Sequence, residues 1–270
     1  MHRTRVITSI IGVTTLLIVI GLGNLPVFGL VIAAASIIGL QEFYAFVEAQ
    51  KLPVFTLPGL FIGGVFSLHC LVVTVFEKND LTGFTFTLVL ISLFLYALAD
   101  TGTLAQRLPA LAAMFFGIMY VCWLFGHLIF LRGLPHGKQF IFYLLLVVWS
   151  GDTGAYYAGK AFGRHKLSPL ISPGKTLEGA LGGTIASVLA SCIAKVTFFS
   201  KLSIVDCVLL GLSMSIIAQL GDLCESLLKR SANVKDSGTI VPGHGGILDR
   251  MDGVMFAAPL LYYYAIVFVI

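Results

Sequence analysis

The sequence predicts an all-α, polytopic integral membrane protein with about nine transmembrane helices and a cytoplasmic N-terminus. Three observations predict it. Of the 270 residues, 58% are hydrophobic and 11% charged, with a mean hydropathy of +0.98, which is more apolar surface than one soluble core can hide. Apolar runs of about 20 residues, the length that crosses roughly 30 Å of hydrocarbon, recur along the chain. Nothing alternates with the period of two expected of transmembrane barrel strands.

Taken in order, the apolar runs place spans at 6 to 23, 27 to 47, 54 to 76, 82 to 100, 108 to 131, 139 to 159, 177 to 198, 204 to 228 and 252 to 270. The first follows Arg3 and Arg5, as a secretory signal would, but it is long and lacks a small-residue cleavage pattern, so it reads as a retained helix. Cys70, Cys122, Cys192, Cys207 and Cys224 all fall within spans, without CxxC spacing, which favours apolar packing over a disulfide framework or a zinc site. His69 and His127 lack a second ligand at i+4 and read as packed or hydrogen-bonded neutral side chains. Glu42 and Glu48, at the end of the second span, have no phosphate-binding company and receive no role.

Alternating the connections across the bilayer divides the 17 Lys and Arg residues unequally. Twelve share a side: Arg3, Arg5, Lys51, Arg107, Lys160, Arg164, Lys166, Lys175, Lys229, Arg230, Lys235 and Arg250. The positive-inside rule makes that side cytoplasmic. Eight of the twelve lie in two loops, where they serve topology or anion binding, and where soluble phosphate-bearing molecules are at hand. No low-complexity linker, internal repeat or soluble domain is visible. Residues 1–138 carry few intramembrane charges, whereas 139–270 hold nearly all the plausible chemistry.

The eighth span ends "AQLGDLCESLLKR", with Asp222, Glu225, Ser226 and Lys229 on one helical face. Carboxylates at the end of a membrane helix need water, a cation or a partner, so they mark a site, unless they merely pair with Lys229. Beyond Lys235 and Asp236, "PGHGGILDRMDG" is too rich in glycine and proline for a long helix. Gly245 and Gly246 suit close approach of backbone N–H groups to a phosphate, with His244 and the lysines as further donors. Asp249 and Asp252 follow at i, i+3, where the last helix should start; capping explains one of them better than both. Asp222, Asp249 and Asp252 around one point, with cations outside them, suit a magnesium-dependent phosphoryl or nucleotidyl transfer. Asp152, inside "WSGDTGAYYAGK", is a further candidate near the metal or nucleotide. "SPGKT", from 172 to 176, fails the phosphate-loop pattern because Pro169 stands where glycine is required, although Lys160, Arg164, Lys166 and Lys175 are placed to gather anions or touch acidic lipid.

Ser226, Lys229, Arg230, Lys235 and Asp236, followed by "PGHGGILDRMD" from 242 to 252, resemble the signature of phosphatidate cytidylyltransferases, or CDP-diacylglycerol synthases. "SPGKT" and "GDTGAY" resemble the same family. The resemblance extends over most of the C-terminal half and implies an enzyme that joins CTP to phosphatidic acid, giving CDP-diacylglycerol and pyrophosphate. It implies catalytic roles for Asp222, Asp249, Lys229, Arg230, Lys235, Asp236 and Arg250. Ser226, His244, Gly245, Gly246, Lys175 and Asp152 would contact substrate. Asp222 and Asp249 would hold Mg2+, alone or with a second cation, with Asp252 or Asp152 as a further ligand. A homodimer in a bacterial inner membrane, with a cytoplasmic active site and no nucleic-acid partner, is expected. Residues 1–138 would then provide scaffold, lipid access and dimerisation, and 139–270 catalysis. The rival expectations are a CTP-dependent lipid-alcohol kinase and a cation-coupled transporter.

Overall fold

A computed structural model describes residues 12, 14–77, 81–240 and 245–270. Seven of its helices are long and apolar enough to cross a membrane, and they coincide with seven of the nine expected spans. The expected span at 6 to 23 lies partly outside the described residues. The one at 139 to 159 falls in a 26-residue helix whose second half, "GDTGAYYAGK", lowers its hydropathy, so it is not among the seven.

Residue contacts divide the chain into two compact units, Met1–Gly133 with Leu228–Arg250, and Leu134–Leu227 with Met251–Ile270. The first contains a helix over 14–22 (α1), then α2 (Leu25–Ala49), α3 (Thr56–Val75), α4 (Leu81–Ala99) and α5 (Leu104–Gly117). A π-helical turn, Ile118–Trp123, carries α5 into α6 (Leu124–Gly133). Asn24 caps α2 by accepting the Val27 N–H at 3.0 Å, with Pro26 preset for the first turn. Glycines admit large neighbours: Gly29 faces Leu71, Gly59 faces Tyr44, and Gly117 faces the rings of Phe43 and Tyr44. The buried Ser36 and Ser67 hydroxyls pair with each other at 2.7 Å. His69 meets the Thr85 hydroxyl and His127 the Trp123 carbonyl, each at 2.8 Å, in accord with packed, hydrogen-bonded histidines.

The second unit contains α7 (Gly137–Phe162), a short antiparallel hairpin of β1 (Lys166–Ser168) and β2 (Ser172–Thr176), α8 (Leu177–Thr197), and most of α9 (Ile204–Ser231) and α10 (Leu248–Tyr264). A π-helical turn, Ala265–Val269, ends α10. The hairpin is an addition to the expected all-α class, too short to announce itself by alternation. Ser203 and Asp206 form a reciprocal cap at the start of α9, with N–H to side-chain distances of 2.7 and 3.1 Å.

Helices α7 and α8 pack at backbone contact, and small residues make it possible. A Cβ on Gly183 would lie 2.8 Å from the Gly151 carbonyl oxygen, and one on Gly154 would lie 2.5 Å from Ala186 Cβ and 3.0 Å from the Gly182 carbonyl. Outward faces stay apolar: on α4, Leu88, Ile91, Phe94, Leu95 and Leu98 are all exposed, as suits a lipid environment. We expect Gly154→Leu to force α7 from α8 and cost about 1–3 kcal/mol or more, read as a lowered thermal midpoint of the detergent-purified protein.

Candidate active site

The residues singled out by sequence fall into two groups, one in each unit. In the second unit, α7 supplies Asp152, β2 supplies Lys175, and α9 supplies Gln219 and Asp222 to the wall of a cavity of about 500 Å³, with Tyr156 and Lys160 alongside. That volume is in the range of small-molecule sites. The Lys175 ammonium lies 2.6 Å from Asp222 Oδ2, and the Ser226 hydroxyl donates to Asp222 Oδ1 at 3.4 Å.

Lys175 reaches Asp222 because both ends of its hairpin are held. Thr176 caps α8 by accepting the Gly179 N–H at 3.1 Å. Glu178, in the first turn of α8, accepts the N–H groups of Arg164 and His165 at 3.0 and 3.2 Å and meets His165 Nδ1 at 2.6 Å. The end of α7 is thereby tied to the start of α8. "SPGKT" is thus a strand running into a capped helix.

Asp222, Glu225 and Asp252 each offer one oxygen, and these three oxygens lie within 4.8 Å of one another. Packing creates the cluster. A Cβ on Gly221 would sit 2.7 Å from the Asp252 carbonyl and 2.8 Å from the Phe256 ring, so only glycine lets α10 approach α9 this closely. Glu225 is fully buried. Three carboxylates this close repel one another strongly in a low-dielectric setting. Ligand oxygens on opposite sides of Mg2+, at ~2.1 Å each, lie about 4.2 Å apart. The hard oxygen donors and their spacing therefore fit a divalent cation.

In the first unit, Asp249 is the centre. Its side chain is only 6% exposed, and its Oδ1 pairs with the Lys229 ammonium at 2.6 Å. Its Oδ2 accepts the Ser237 N–H at 2.7 Å, the Gly246 N–H at 2.8 Å and the Ser237 hydroxyl at 2.9 Å. Gly245, at φ +86°, turns the chain where a side chain would collide with Asp249. The Gly246 N–H, expected to face a phosphate, is directed at a carboxylate. Glu42 enters the same group from α2: it is 5% exposed and accepts the Ile247 N–H, the Leu248 N–H and the Ser237 hydroxyl.

Lys235, Asp236, Arg230 and Arg250 are exposed, and Arg230 Nη1 donates to the Val234 carbonyl at 3.2 Å. His244, with Pro242 and Gly243, lies outside the described residues. Among the described residues, the close carboxylate group joins Asp222 to Glu225 and Asp252. The sequence reading gave two residues no role in the site. Glu225 was visible one helical turn from Asp222, whereas Glu42 stands about two hundred residues from its partners and carries no local signal.

A family model described as the cytidylyltransferase family matches residues 3–268. The chain belongs to that family. Among its relatives, the phosphatidate cytidylyltransferase of Bacillus subtilis (strain 168) is 34% identical over 269 residues, covering 97% of this chain and 96% of its own. Those of Staphylococcus haemolyticus (strain JCSC1435) and Staphylococcus aureus (strain COL) are 48% and 47% identical over 136 and 138 residues, about half of each chain.

Two outcomes follow from this geometry. Asp222→Asn and Asp252→Asn should each weaken Mn2+ binding roughly 10- to 100-fold, measured by electron paramagnetic resonance of the purified protein. Lys229→Met leaves a buried carboxylate without its cation and should cost about 3–5 kcal/mol, seen as a lower thermal midpoint that Lys229→Arg largely restores.

Proposed function

We propose that the protein is a CTP:phosphatidate cytidylyltransferase, which transfers the cytidylyl group of CTP to phosphatidic acid and releases pyrophosphate. The full-length alignment with a relative of that name carries the reading. The site chemistry supports it: one substrate is a membrane lipid, the other a soluble polyanion, and the chain combines apolar helices with lysines set against carboxylates.

In this reading, an ionised phosphate oxygen of phosphatidic acid attacks the α-phosphorus of CTP in line. A phosphorus–oxygen bond forms to the lipid phosphate, the bond to the β-phosphate oxygen breaks, and pyrophosphate leaves with that electron pair. No strong general base is required, because the nucleophile is already an anion. Asp222, Asp249 and Asp252 would hold Mg2+, with Glu225 added by its position. Bound Mg2+ supplies positive charge to phosphate oxygens. For Asp249 to serve as a ligand, Lys229 must shift from its Oδ1.

Lys175 pairs with Asp222 at the cavity wall and can exchange that carboxylate for a substrate phosphate. Lys229, Arg230, Lys235 and Arg250 provide the cationic surroundings that let two polyanions approach. Asp236 and His244 accompany them in the signature, Ser226 orients Asp222, and Asp152 and Gln219 line the nucleotide cavity. The same proposal includes nine spans, a cytoplasmic N-terminus and active site, a bacterial inner membrane and a homodimer. It assigns scaffold and lipid access to 1–138 and catalysis to 139–270.

The decisive measurement offers purified protein phosphatidic acid, Mg2+ and CTP labelled at the α- or the γ-phosphate. We expect α-label alone to enter the lipid, with pyrophosphate released. Transfer of γ-label to a lipid alcohol such as dolichol would make the protein a kinase instead.

A further inference from the structure

We propose that Glu42 is a positioning residue of the reaction, holding Ser237, Gly246 and Asp249 in their working positions. The inference rests on the cytidylyl-transfer reading of these residues. Glu42 lies near the end of α2, in a helix with no acidic residue in its first turn and no basic one in its last. A carboxylate buried there is costly unless donors surround it. They do: the Ile247 N–H donates to Oε1 at 2.9 Å, and the Leu248 N–H and Ser237 hydroxyl donate to Oε2, both at 3.0 Å.

Two of these donors are backbone groups at the start of α10, which have no carbonyl partner within the helix. A negative charge at that end also complements the helix dipole. A local Ser or Asp could do as much. The chain instead brings a carboxylate from α2, and the local packing is built to admit it. One turn before Glu42, Gly39 receives the Leu248 side chain, with its Cδ2 3.1 Å from where a Cβ would stand. Gly39 and Glu42 share one face of α2, so a single stripe seats the first side chain of α10 and takes its N–H. On the other side, a Cβ on Gly238 would lie 2.7 Å from Glu42 Oε1, and one on Gly246 would run into both Glu42 and Ser237.

The link to chemistry is Ser237. Its hydroxyl has one proton and two carboxylates within reach, Glu42 Oε2 at 3.0 Å and Asp249 Oδ2 at 2.9 Å. Successive backbone donors are divided between the same two carboxylates: Gly246 to Asp249, then Ile247 and Leu248 to Glu42. Asp249 therefore keeps its place, and its pairing with Lys229, only while Glu42 holds the other half of the same donors. Glu42 touches no reacting atom in this scheme. It acts through Asp249.

The test uses the full-length protein in mixed micelles with phosphatidic acid, Mg2+ and α-labelled CTP. Variants are Glu42→Gln, Ser237→Ala and the double. Gln keeps the shape of Glu but turns an amide NH2 toward a backbone donor. We expect Glu42→Gln to lower kcat roughly 10- to 100-fold in protein that remains folded, with the KM for CTP little changed and the thermal midpoint lowered less than in Lys229→Met. The double variant should fall no further than the worse single one, because both act through Asp249. Backbone hydrogen exchange, which needs no turnover, should quicken ~10-fold at Ile247 and Leu248 in Glu42→Gln. Wild-type kcat in Glu42→Gln, unchanged exchange, or activity lost only in step with folded protein would each overturn the role. A wild-type protein that makes no labelled lipid overturns the cytidylyl-transfer reading itself.

Discussion

Carboxylates held out of water must be answered by donors or cations, and both groups of site residues are organised around that demand. Asp249 is answered by Lys229, two backbone N–H groups and a hydroxyl, and Glu42 by two N–H groups and the same hydroxyl. Asp222, whose side chain is 39% exposed, has Lys175 and Ser226 and keeps water as well. An uncompensated charge in such a setting costs several kcal/mol, comparable with the whole stability of a domain. The positions of these side chains are therefore conditions of folding as much as of chemistry.

The glycines serve the same demand from the packing side. Gly151, Gly154, Gly182 and Gly183 bring α7 and α8 to backbone contact, which sets the wall bearing Asp152 beside the strand bearing Lys175. Gly221 lets α10 meet α9, so that Asp252 joins Asp222 and Glu225. Gly246 leaves room for Glu42 and Ser237, and Gly245 for Asp249, at a helix start. In each case a missing methyl group decides which polar atoms can meet.

Much of this was legible in advance. Seven apolar runs became helices close to their expected limits, because burial of apolar length in lipid is a local, additive property of sequence. The periodic spacing of Asp222 and Ser226 correctly placed them together on α9. By sequence, Asp249 and Asp252 both group with Asp222; in the structure Asp249 accepts N–H groups at the helix start and Asp252 joins the carboxylate cluster. The sixth run was harder to read, since Asp152 and small polar residues weaken its hydropathy. The hairpin at 166–176 is held by ends that only its neighbours reveal, through Glu178 and Thr176.

Sequence by itself determined the membrane class, most of the helices and the family, because hydropathy and a contiguous signature are both read along one dimension. Tertiary structure alone decided that Glu42 answers Ile247 and Leu248, that Lys229 neutralises Asp249, and that Glu225 and Asp252 complete a cluster with Asp222. The reason is physical: which charges share a donor depends on which backbones can touch, and that is settled by side-chain volume at distant glycines rather than by spacing in the chain.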